Sequence, residues 1–239
     1  MPVHLKAIAI RSDTFPAREC YPFSLPILQR TPSVAFRSPV TFFVGENGSG
    51  KSTLLEALAR AAGIHIWKNN GIARAGFNPH EDKLHHWLSA EWTDGPTPGA
   101  FFASQIFRHF SELLDSWAAA DPGLFEYFGG QSLLTQSHGQ SLMSFFSSRF
   151  KIPGLYLLDE PETALSPRTQ LALLRILHEN AEAGHAQFII ATHSPILLAL
   201  PKAEILSFDH PTVQPVSYRE TDYYTVYKDF LNHPERFLP

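Results

Sequence analysis

Residues 40–52 read VTFFVGENGSGKS, an uncharged run followed by a loop that contains three glycines. The run 40–44 is rich in β-branched and aromatic residues, which predicts a strand buried on both faces. The loop fits the pattern G-x-x-x-x-G-K-[ST], in which glycines let backbone N–H groups turn toward phosphate oxygens at the start of a helix. This stretch therefore predicts a strand, a phosphate-binding loop and a helix in succession.

The phosphate-binding loop and the helix start supply the predicted contacts to a nucleotide. Lys51 is expected to reach the β- and γ-phosphates, and the Ser52 hydroxyl to ligate Mg²⁺. The residues predicted to bind the nucleotide here are Gly45, Glu46, Asn47, Gly48, Ser49, Gly50, Lys51, Ser52 and Thr53. Residues 52–62, rich in leucine and alanine, precede Gly63, as in a helix that ends at a glycine cap. ATP and Mg²⁺ are therefore the expected ligands.

Two more uncharged runs, 155–158 and 187–191, predict further buried strands. Three such strands predict an α/β fold with a mostly parallel central sheet covered by helices, because parallel sheets are buried on both faces. The carboxyl ends of parallel strands meet at one edge of a sheet, where the ligands of open α/β folds bind. Polar residues that directly follow these runs are therefore expected beside the phosphate-binding loop.

The acidic pair Asp159-Glu160 follows the first of these runs. Ionised acids are costly in an apolar interior, so both side chains are expected to emerge at the edge of the sheet. Asp159 is predicted to hold the Mg²⁺, and Glu160 to polarise the attacking water. Glu162 is interpreted as a loop charge near the next helix, outside the catalytic set.

The second run leads into Thr192-His193-Ser194-Pro195. This histidine is expected at the same edge of the sheet, within reach of the γ-phosphate or the attacking water. His193 is therefore predicted to be catalytic, together with Glu160 and Lys51.

Length and composition favour one domain of a soluble protein. The chain has 239 residues, of which 44% are hydrophobic and 18% charged, and such α/β domains often form one unit. Residues 1–63 and 151–239 are predicted to form the nucleotide-binding core, with antiparallel strands near the N-terminus. Residues 64–150 lack a strand period and predict an inserted, mostly helical lobe.

The cysteine content and the net charge limit the expected cellular location and the expected partners. Cys20 is the only cysteine, so no internal disulfide forms and a cytoplasmic location is expected. The apolar runs are too short to cross a bilayer, and no signal segment opens the chain. The formal net charge of −4 gives no general attraction to nucleic acid, which leaves a local basic patch as the open alternative.

In their order along the chain, these motifs resemble those of the ABC-type ATPase domain. The resemblance rests on the phosphate-binding loop, Asp159-Glu160-Pro161, Ala164-Leu165-Ser166 and Thr192-His193-Ser194-Pro195. In that family a signature turn, usually L-S-G-G-Q, precedes the acidic strand by one short helix. Residues 137–140, which read SHGQ, stand at the corresponding position here.

In the family, the signature turn contacts the γ-phosphate of an ATP held by the other subunit. The resemblance therefore implies a homodimer that closes on two ATP molecules, with Ser137, Gly139 and Gln140 as nucleotide contacts. His138 replaces the first glycine of the family pattern, so the local backbone must accept a side chain there.

The resemblance also implies a glutamine that joins the two lobes and senses Mg²⁺, and Gln105 is the candidate by position. The family stacks an aromatic ring on adenine, and three residues remain open for that role: Phe15, Tyr21 and Phe23. The aromatic tail, Tyr223, Tyr224, Tyr227 and Phe230, has helical spacing, which favours core packing over a docking surface for a partner.

The process that the predicted ATPase drives, here called its load, stays open at this stage. The stretch between Lys51 and Asp159 has no sustained heptads, so the coiled-coil arms of chromosome-maintenance ATPases are not expected. The chain is more similar to stand-alone AAA-class ATPases of bacteria and to the ATPase half of the overcoming-lysogenization-defect nucleases. The alternatives are the energy subunit of a membrane transporter, with a separate membrane partner, and an ATP-switched clamp on DNA.

Overall fold

The computed structural model of the protein describes residues 3–67 and 78–238, which form two β-sheets with surrounding helices. The strands described are β1 (Leu5–Ile10), β2 (Ser33–Ala35), β3 (Val40–Val44), β4 (Leu88–Trp92), β5 (Gly99–Ala103), β6 (Gly154–Asp159), β7 (Ala186–Ala191), β8 (Glu204–Ser207) and β9 (Gln214–Pro215). The α-helices described are α1 (Pro26–Arg30), α2 (Lys51–Ala61), α3 (Ser104–Ala118), α4 (His138–Arg149), α5 (Pro167–Glu182), α6 (Pro195–Leu198) and α7 (Asp222–Asn232).

The central sheet has the strand order β5-β6-β7-β3-β8-β9. The pairs from β5 to β8 are parallel, and β9 is antiparallel to β8. A smaller sheet has the order β2-β1-β4 and is antiparallel throughout. The predicted α/β fold, with a mainly parallel sheet and antiparallel strands near the N-terminus, is confirmed.

The three predicted strands β3, β6 and β7 are buried on both faces because successive side chains enter two different cores. Phe43 packs into the core that contains α2 and the smaller sheet, whereas Phe42 packs into the core beneath α4 and α5. Leu157 and Leu158 of β6 divide in the same way. The period of two along a strand thus explains why these runs contain no charge.

One polar residue inside these strands joins the two sheets. Gln187 of β7 is fully buried, and its side-chain amide accepts a hydrogen bond from the Leu5 N–H at 2.8 Å and donates one to the Leu5 carbonyl at 3.0 Å. A buried amide is tolerated when its hydrogen bonds are made. This amide therefore attaches β1, and with it the smaller sheet, to the central sheet.

The expected helical lobe differs from the structure over residues 88–103, which form β4 and β5. β5 is the edge strand of the central sheet, and a Cβ at Gly99 would lie 1.8 Å from the Leu155 carbonyl oxygen. The glycine that permits this close approach also weakens the strand signal in the sequence. The helical part begins at α3, and residues 68–77 of the expected lobe lie outside the described residues.

The helix predicted over residues 52–62 agrees closely with α2, and α5 has a capped start. Ser166 accepts a hydrogen bond from the Thr169 N–H, and Pro167 is the first residue of α5. Gly63, with φ +70°, follows α2. No helix within residues 3–67 and 78–238 is both long enough and apolar enough to cross a membrane.

Candidate functional site

Three strands of the central sheet end at the same level. Ala191 of β7 is the register partner of Asp159 on β6, and Phe43 of β3 is the partner of Ala191 on the other side. The ladder continues past the strands, because the Glu160 N–H donates to the Ala191 carbonyl at 2.9 Å. The phosphate-binding loop, the acidic pair and His193 therefore emerge at one edge of the sheet.

The phosphate-binding loop is held in a conformation that favours glycine. Gly45 and Gly50 have φ values of +144° and +105°, a region that residues with a side chain rarely adopt. Lys51 is 5% exposed, and its Nζ donates to the carbonyls of Gly45 at 2.6 Å and Glu46 at 2.9 Å. Burial lowers the pKa of Lys51, although Asp209 and other nearby acids oppose the shift.

This loop fits a phosphate group. The Lys51 ammonium donates hydrogen bonds to two carbonyls of the loop itself, which holds its positive charge at the loop. Ser49 Oγ is buried and has no hydrogen-bond partner in the described part of the chain. A buried ammonium and a buried free hydroxyl at a helix N-terminus are the donors that phosphate oxygens require.

The two predicted metal ligands lie side by side. Ser52 Oγ donates to Asp159 Oδ1 at 2.9 Å, which brings a hydroxyl from α2 and a carboxylate from β6 together. Burial raises the pKa of Asp159 to about 6, despite the opposing hydrogen bond from Ser52. Mg²⁺ is commonly held by one or two such oxygen atoms, with water and phosphate as its other ligands. This pair fits that cation.

We expect the metal-free protein to become more stable when Asp159 is replaced by asparagine. The pKa of Asp159 is about 6 in the folded chain against an ordinary value of 3.8. Because the folded state holds this proton more tightly, the carboxyl stabilises the fold below its ordinary pKa and loses that contribution as pH rises toward 6. Asp159→Asn should therefore raise the free energy of unfolding at pH 7 by about 2 to 3 kcal/mol.

Chemical denaturation of the metal-free protein at pH 7 and pH 5 measures this effect, and the gain should shrink at the lower pH. Asp94→Asn is the matched control, since Asp94 is exposed and should change little. A variant at Asp159 that is less stable than the parent at pH 7 would contradict the assigned burial cost.

The backbone of Glu160 adopts a conformation that is rare for a residue with a side chain. Its φ is +46°, and its carbonyl accepts hydrogen bonds from Ser104 Oγ at 2.6 Å and Thr163 Oγ1 at 3.0 Å. Such left-handed residues cost on the order of 1 to 3 kcal/mol and persist where the surroundings fix them. The Glu160 carboxylate faces His193, whose Nε2 lies 3.3 Å from Glu160 Oε1.

The interpretation of Glu162 as a simple loop charge is wrong. Its Oε1 accepts the backbone N–H of His193 at 2.7 Å, and burial raises its pKa. Glu162 therefore fixes the loop that carries His193. The two residues are 31 positions apart in the sequence, which contains no signal for this contact.

Two further residues at the site follow from tertiary structure alone. Asp209, just after β8, accepts the Glu46 N–H at 2.7 Å. The hydroxyl of Tyr223, in the first turn of α7, donates to the Gly45 carbonyl at 2.9 Å and lies 2.6 Å from His193 Nδ1.

The expected core packing of the aromatic tail is wrong for Tyr227 and Phe230, which are 51% and 42% exposed.

The predicted signature turn forms the start of α4. Ser137 is the N-cap, and it exchanges hydrogen bonds with Gln140 in a capping box. His138 lies within the helix and has an ordinary backbone conformation, so its side chain causes no strain. A Cβ at Gly139 would lie 3.5 Å from the Ala164 carbonyl, which places the helix start against residues 164–166.

The structure brings Gln105 to the same edge but leaves its side chain exposed. Gln105 follows β5 by two residues, and Ala103 of that strand is the register partner of Asp159. Its contact with the metal remains a prediction.

Of the three aromatic candidates for adenine, Phe15 and Phe23 are buried and pack on each other, whereas Tyr21 is 44% exposed and its hydroxyl lies 3.0 Å from Thr53 Oγ1.

Comparison with known families gives two matches in different parts of the chain. A family model described as "AAA domain, putative AbiEii toxin, Type IV TA system" matches residues 136–199, from the predicted signature turn to the end of α6. A second model, described as "AAA domain", matches residues 24–87, which include the phosphate-binding loop. No curated protein matches the sequence.

Two solved structures share the fold. The first is cbiO1 from Clostridium perfringens, part of the ABC transporter complex cbiONQ, with 14% identity, coverage of 98% of each chain and a TM-score of 0.54. The second is an SmcHead bound to the C-winged helix domain of ScpA, with 13% identity, coverage of 90% of this chain and 98% of that chain, and a TM-score of 0.53. At this identity the likeness concerns the fold alone. The chain is therefore similar to AAA domains over these two segments, carries the phosphate-binding loop motif and shares the P-loop fold of an ABC transporter subunit and an SMC head.

Proposed function

We propose that the protein binds Mg-ATP, closes into a homodimer around two ATP molecules and hydrolyses the γ-phosphate. The observation that carries this proposal is the meeting of four groups at one edge of the central sheet. These groups are the buried Lys51, the pair Ser52 and Asp159, the strained Glu160 and the ring of His193.

Each of these residues has a distinct role in the proposed reaction. Lys51 and the N–H groups of the loop hold the β- and γ-phosphates. Ser52 and Asp159 would hold Mg²⁺, which would neutralise charge on the phosphates. Glu160 accepts a hydrogen bond from the attacking water and orients it, and His193 stands beside it on the same side. Catalysis of this kind consists of positioning and charge stabilisation.

The start of α4 supports the proposed dimer. The first N–H groups of a helix have no acceptor within the helix. Those of His138 and Gly139 therefore point out of the N-terminal end of α4. The Ser137 and His138 side chains are exposed at this turn. A turn of this kind is suited to the γ-phosphate of a second copy, because helix N-termini bind anions. Each ATP would then bridge two subunits, so nucleotide binding favours dimer formation by mass action.

Ser137→Arg is expected to block ATP-dependent dimerisation and to leave nucleotide binding by the monomer nearly unchanged. A long charged side chain at the N-cap would occupy the space that a second subunit's phosphate must enter. It also removes a cap worth about 1 kcal/mol, which the fold should tolerate. The dimer fraction is measured by light scattering with saturating Mg-ATP, and binding by calorimetry.

Ser116→Arg is the matched control, since Ser116 is an exposed serine on α3 in the same part of the chain. This control should dimerise like the parent. Dimers that persist in Ser137→Arg at the parent level would disprove the signature assignment, while a parent that stays monomeric with undiminished turnover would disprove the dimer itself.

Two features support finer parts of the proposal. Tyr21 is exposed beside Thr53, the last residue of the predicted phosphate contacts, so we assign it the face of the adenine ring. A cytoplasmic location is also proposed, because the sequence has a single cysteine and therefore no internal disulfide. The fold is shared by a transporter subunit and an SMC head, so the load must be identified from bound partners.

A further inference from the structure

Tyr223 makes two contacts with one hydroxyl group at the centre of the site. Its oxygen lies 2.9 Å from the Gly45 carbonyl oxygen and 2.6 Å from His193 Nδ1. The first contact reaches the phosphate-binding loop, and the second reaches the histidine of the neighbouring strand end. The hydroxyl therefore lies between two parts of the proposed catalytic machinery.

A count of protons fixes the direction of both hydrogen bonds. A carbonyl oxygen is only an acceptor, so the single hydroxyl proton of Tyr223 must be donated to Gly45. His193 Nδ1 must then carry a proton and donate it to the tyrosine oxygen. The reverse arrangement, with the hydroxyl donating to Nδ1, would leave two oxygen atoms 2.9 Å apart without a proton between them. Of the two neutral tautomers of His193, only the Nδ1–H form satisfies both contacts.

We propose that Tyr223 is a positioning residue that holds the proton of His193 on Nδ1 and thereby presents Nε2 to the reacting edge of the site. The inference rests on the proposed function for its role in hydrolysis, while the assignment of the tautomer stands on the geometry alone. The partner of one ring nitrogen of a histidine sets the state of the other nitrogen.

The surroundings of Tyr223 keep the hydroxyl in place and protonated. Burial, followed by the charges of Asp209 and Glu46, raises the pKa of Tyr223 to about 12, so the hydroxyl that donates to Gly45 keeps its proton at neutral pH. Thr221 caps α7 through the Tyr224 N–H at 3.2 Å. Tyr218, just before the helix, donates to the Pro195 carbonyl at 2.9 Å. Two tyrosines of this segment thus hold the loop that carries His193.

The second ring nitrogen of His193, Nε2, is the one that faces the reacting edge of the site. This atom is buried, lies 3.3 Å from Glu160 Oε1 and lacks a hydrogen bond of good geometry within residues 3–67 and 78–238. With Nδ1 committed to Tyr223, Nε2 is the nitrogen available to the water or phosphate at this edge. In the other tautomer, an Nε2–H group would donate to Glu160 and compete with the attacking water for that carboxylate.

Nuclear magnetic resonance of protein with ¹⁵N-labelled histidine tests the tautomer directly. His193 is assigned by comparison with His193→Gln among the twelve histidines of the chain. In the parent, Nδ1 should give the signal of a protonated ring nitrogen and Nε2 that of a bare one. In Tyr223→Phe, which keeps the ring and loses the hydroxyl, the population should move toward the Nε2–H form.

Kinetics of the same variants test the role in hydrolysis. Tyr223→Phe should lower kcat by about 10-fold to 100-fold, the range for loss of a histidine's outer partner, with the KM for ATP unchanged. Tyr227→Phe is the matched control, because Tyr227 is an exposed tyrosine one turn along α7. It should leave both the tautomer and kcat at parent values.

The outcomes separate this inference from the proposed function. A parent with His193 in the Nε2–H form, or a Tyr223→Phe variant with an unchanged tautomer, overturns the inference whatever the activity. An altered tautomer with unchanged kcat overturns the role in hydrolysis. A parent that does not hydrolyse ATP defeats the proposed function, and the spectra still decide the tautomer.

Discussion

Replacing Lys51 by alanine is expected to abolish measurable ATP binding. Lys51 is buried, and its ammonium group contacts the carbonyls of Gly45 and Glu46, at the position where a phosphate would enter. In the ATP complex, two hydrogen bonds from this ammonium group to phosphate oxygens contribute about 3 to 6 kcal/mol. Their loss corresponds to a loss of ATP affinity of at least about 100-fold. Isothermal titration calorimetry with Mg-ATP measures the change.

Lys151→Ala is the control for this variant. Lys151 is exposed and precedes β6, so it lies at the opposite edge of the sheet from the phosphate-binding loop. Its removal should leave ATP affinity unchanged. If Lys51→Ala kept parent affinity while remaining folded by circular dichroism, the assignment of the loop as the phosphate site would be wrong.

Glu160→Gln is expected to retain ATP binding, to lose hydrolysis and to accumulate as the ATP-bound dimer. Glutamine keeps the size and one side-chain oxygen of the glutamate but cannot accept a proton from water. The loss of a general base lowers turnover by about 10²-fold to 10⁴-fold. We propose further that the dimer reopens only after hydrolysis, so slow turnover should raise the dimer fraction. Phosphate release and light scattering measure the two effects.

Glu179→Gln provides the matched control for this substitution. Glu179 is exposed near the end of α5, away from the edge that carries Glu160. It should hydrolyse ATP at the parent rate and dimerise only transiently. A Glu160→Gln protein that turns over normally as a monomer would refute both the catalytic role and the cycle.

These two variants separate the steps of the proposed reaction. Lys51→Ala acts before hydrolysis, since the nucleotide does not bind, whereas Glu160→Gln acts after binding. The pair also identifies the load, because proteins or nucleic acid that remain with the trapped Glu160→Gln dimer but not with Lys51→Ala depend on the ATP-bound state. Salt-dependent DNA binding of the trapped dimer would favour a DNA clamp.

The strands that carry the site were predictable because burial on both faces leaves a strong local signal. The runs at β3, β6 and β7 contain no charge, and each leads directly into polar residues. β4 and β5 were missed for different reasons: β4 alternates apolar and polar residues over only five positions, and β5 contains Gly99, which a close backbone contact requires. A local pattern is weak where a strand is short or where packing selects a glycine.

The sequence by itself determined the phosphate-binding loop, the acidic pair and the three buried strands that precede the site residues, because each depends on neighbours within a few residues. Only the tertiary structure decided which distant groups complete the site: Glu162 beneath His193, Ser104 on the Glu160 carbonyl, and Asp209 and Tyr223 against the loop. These contacts join chain segments whose separation is set by packing of the two cores. A hydrogen bond between such segments leaves no periodic or local pattern in the sequence, and so it becomes visible only when the fold brings its partners together.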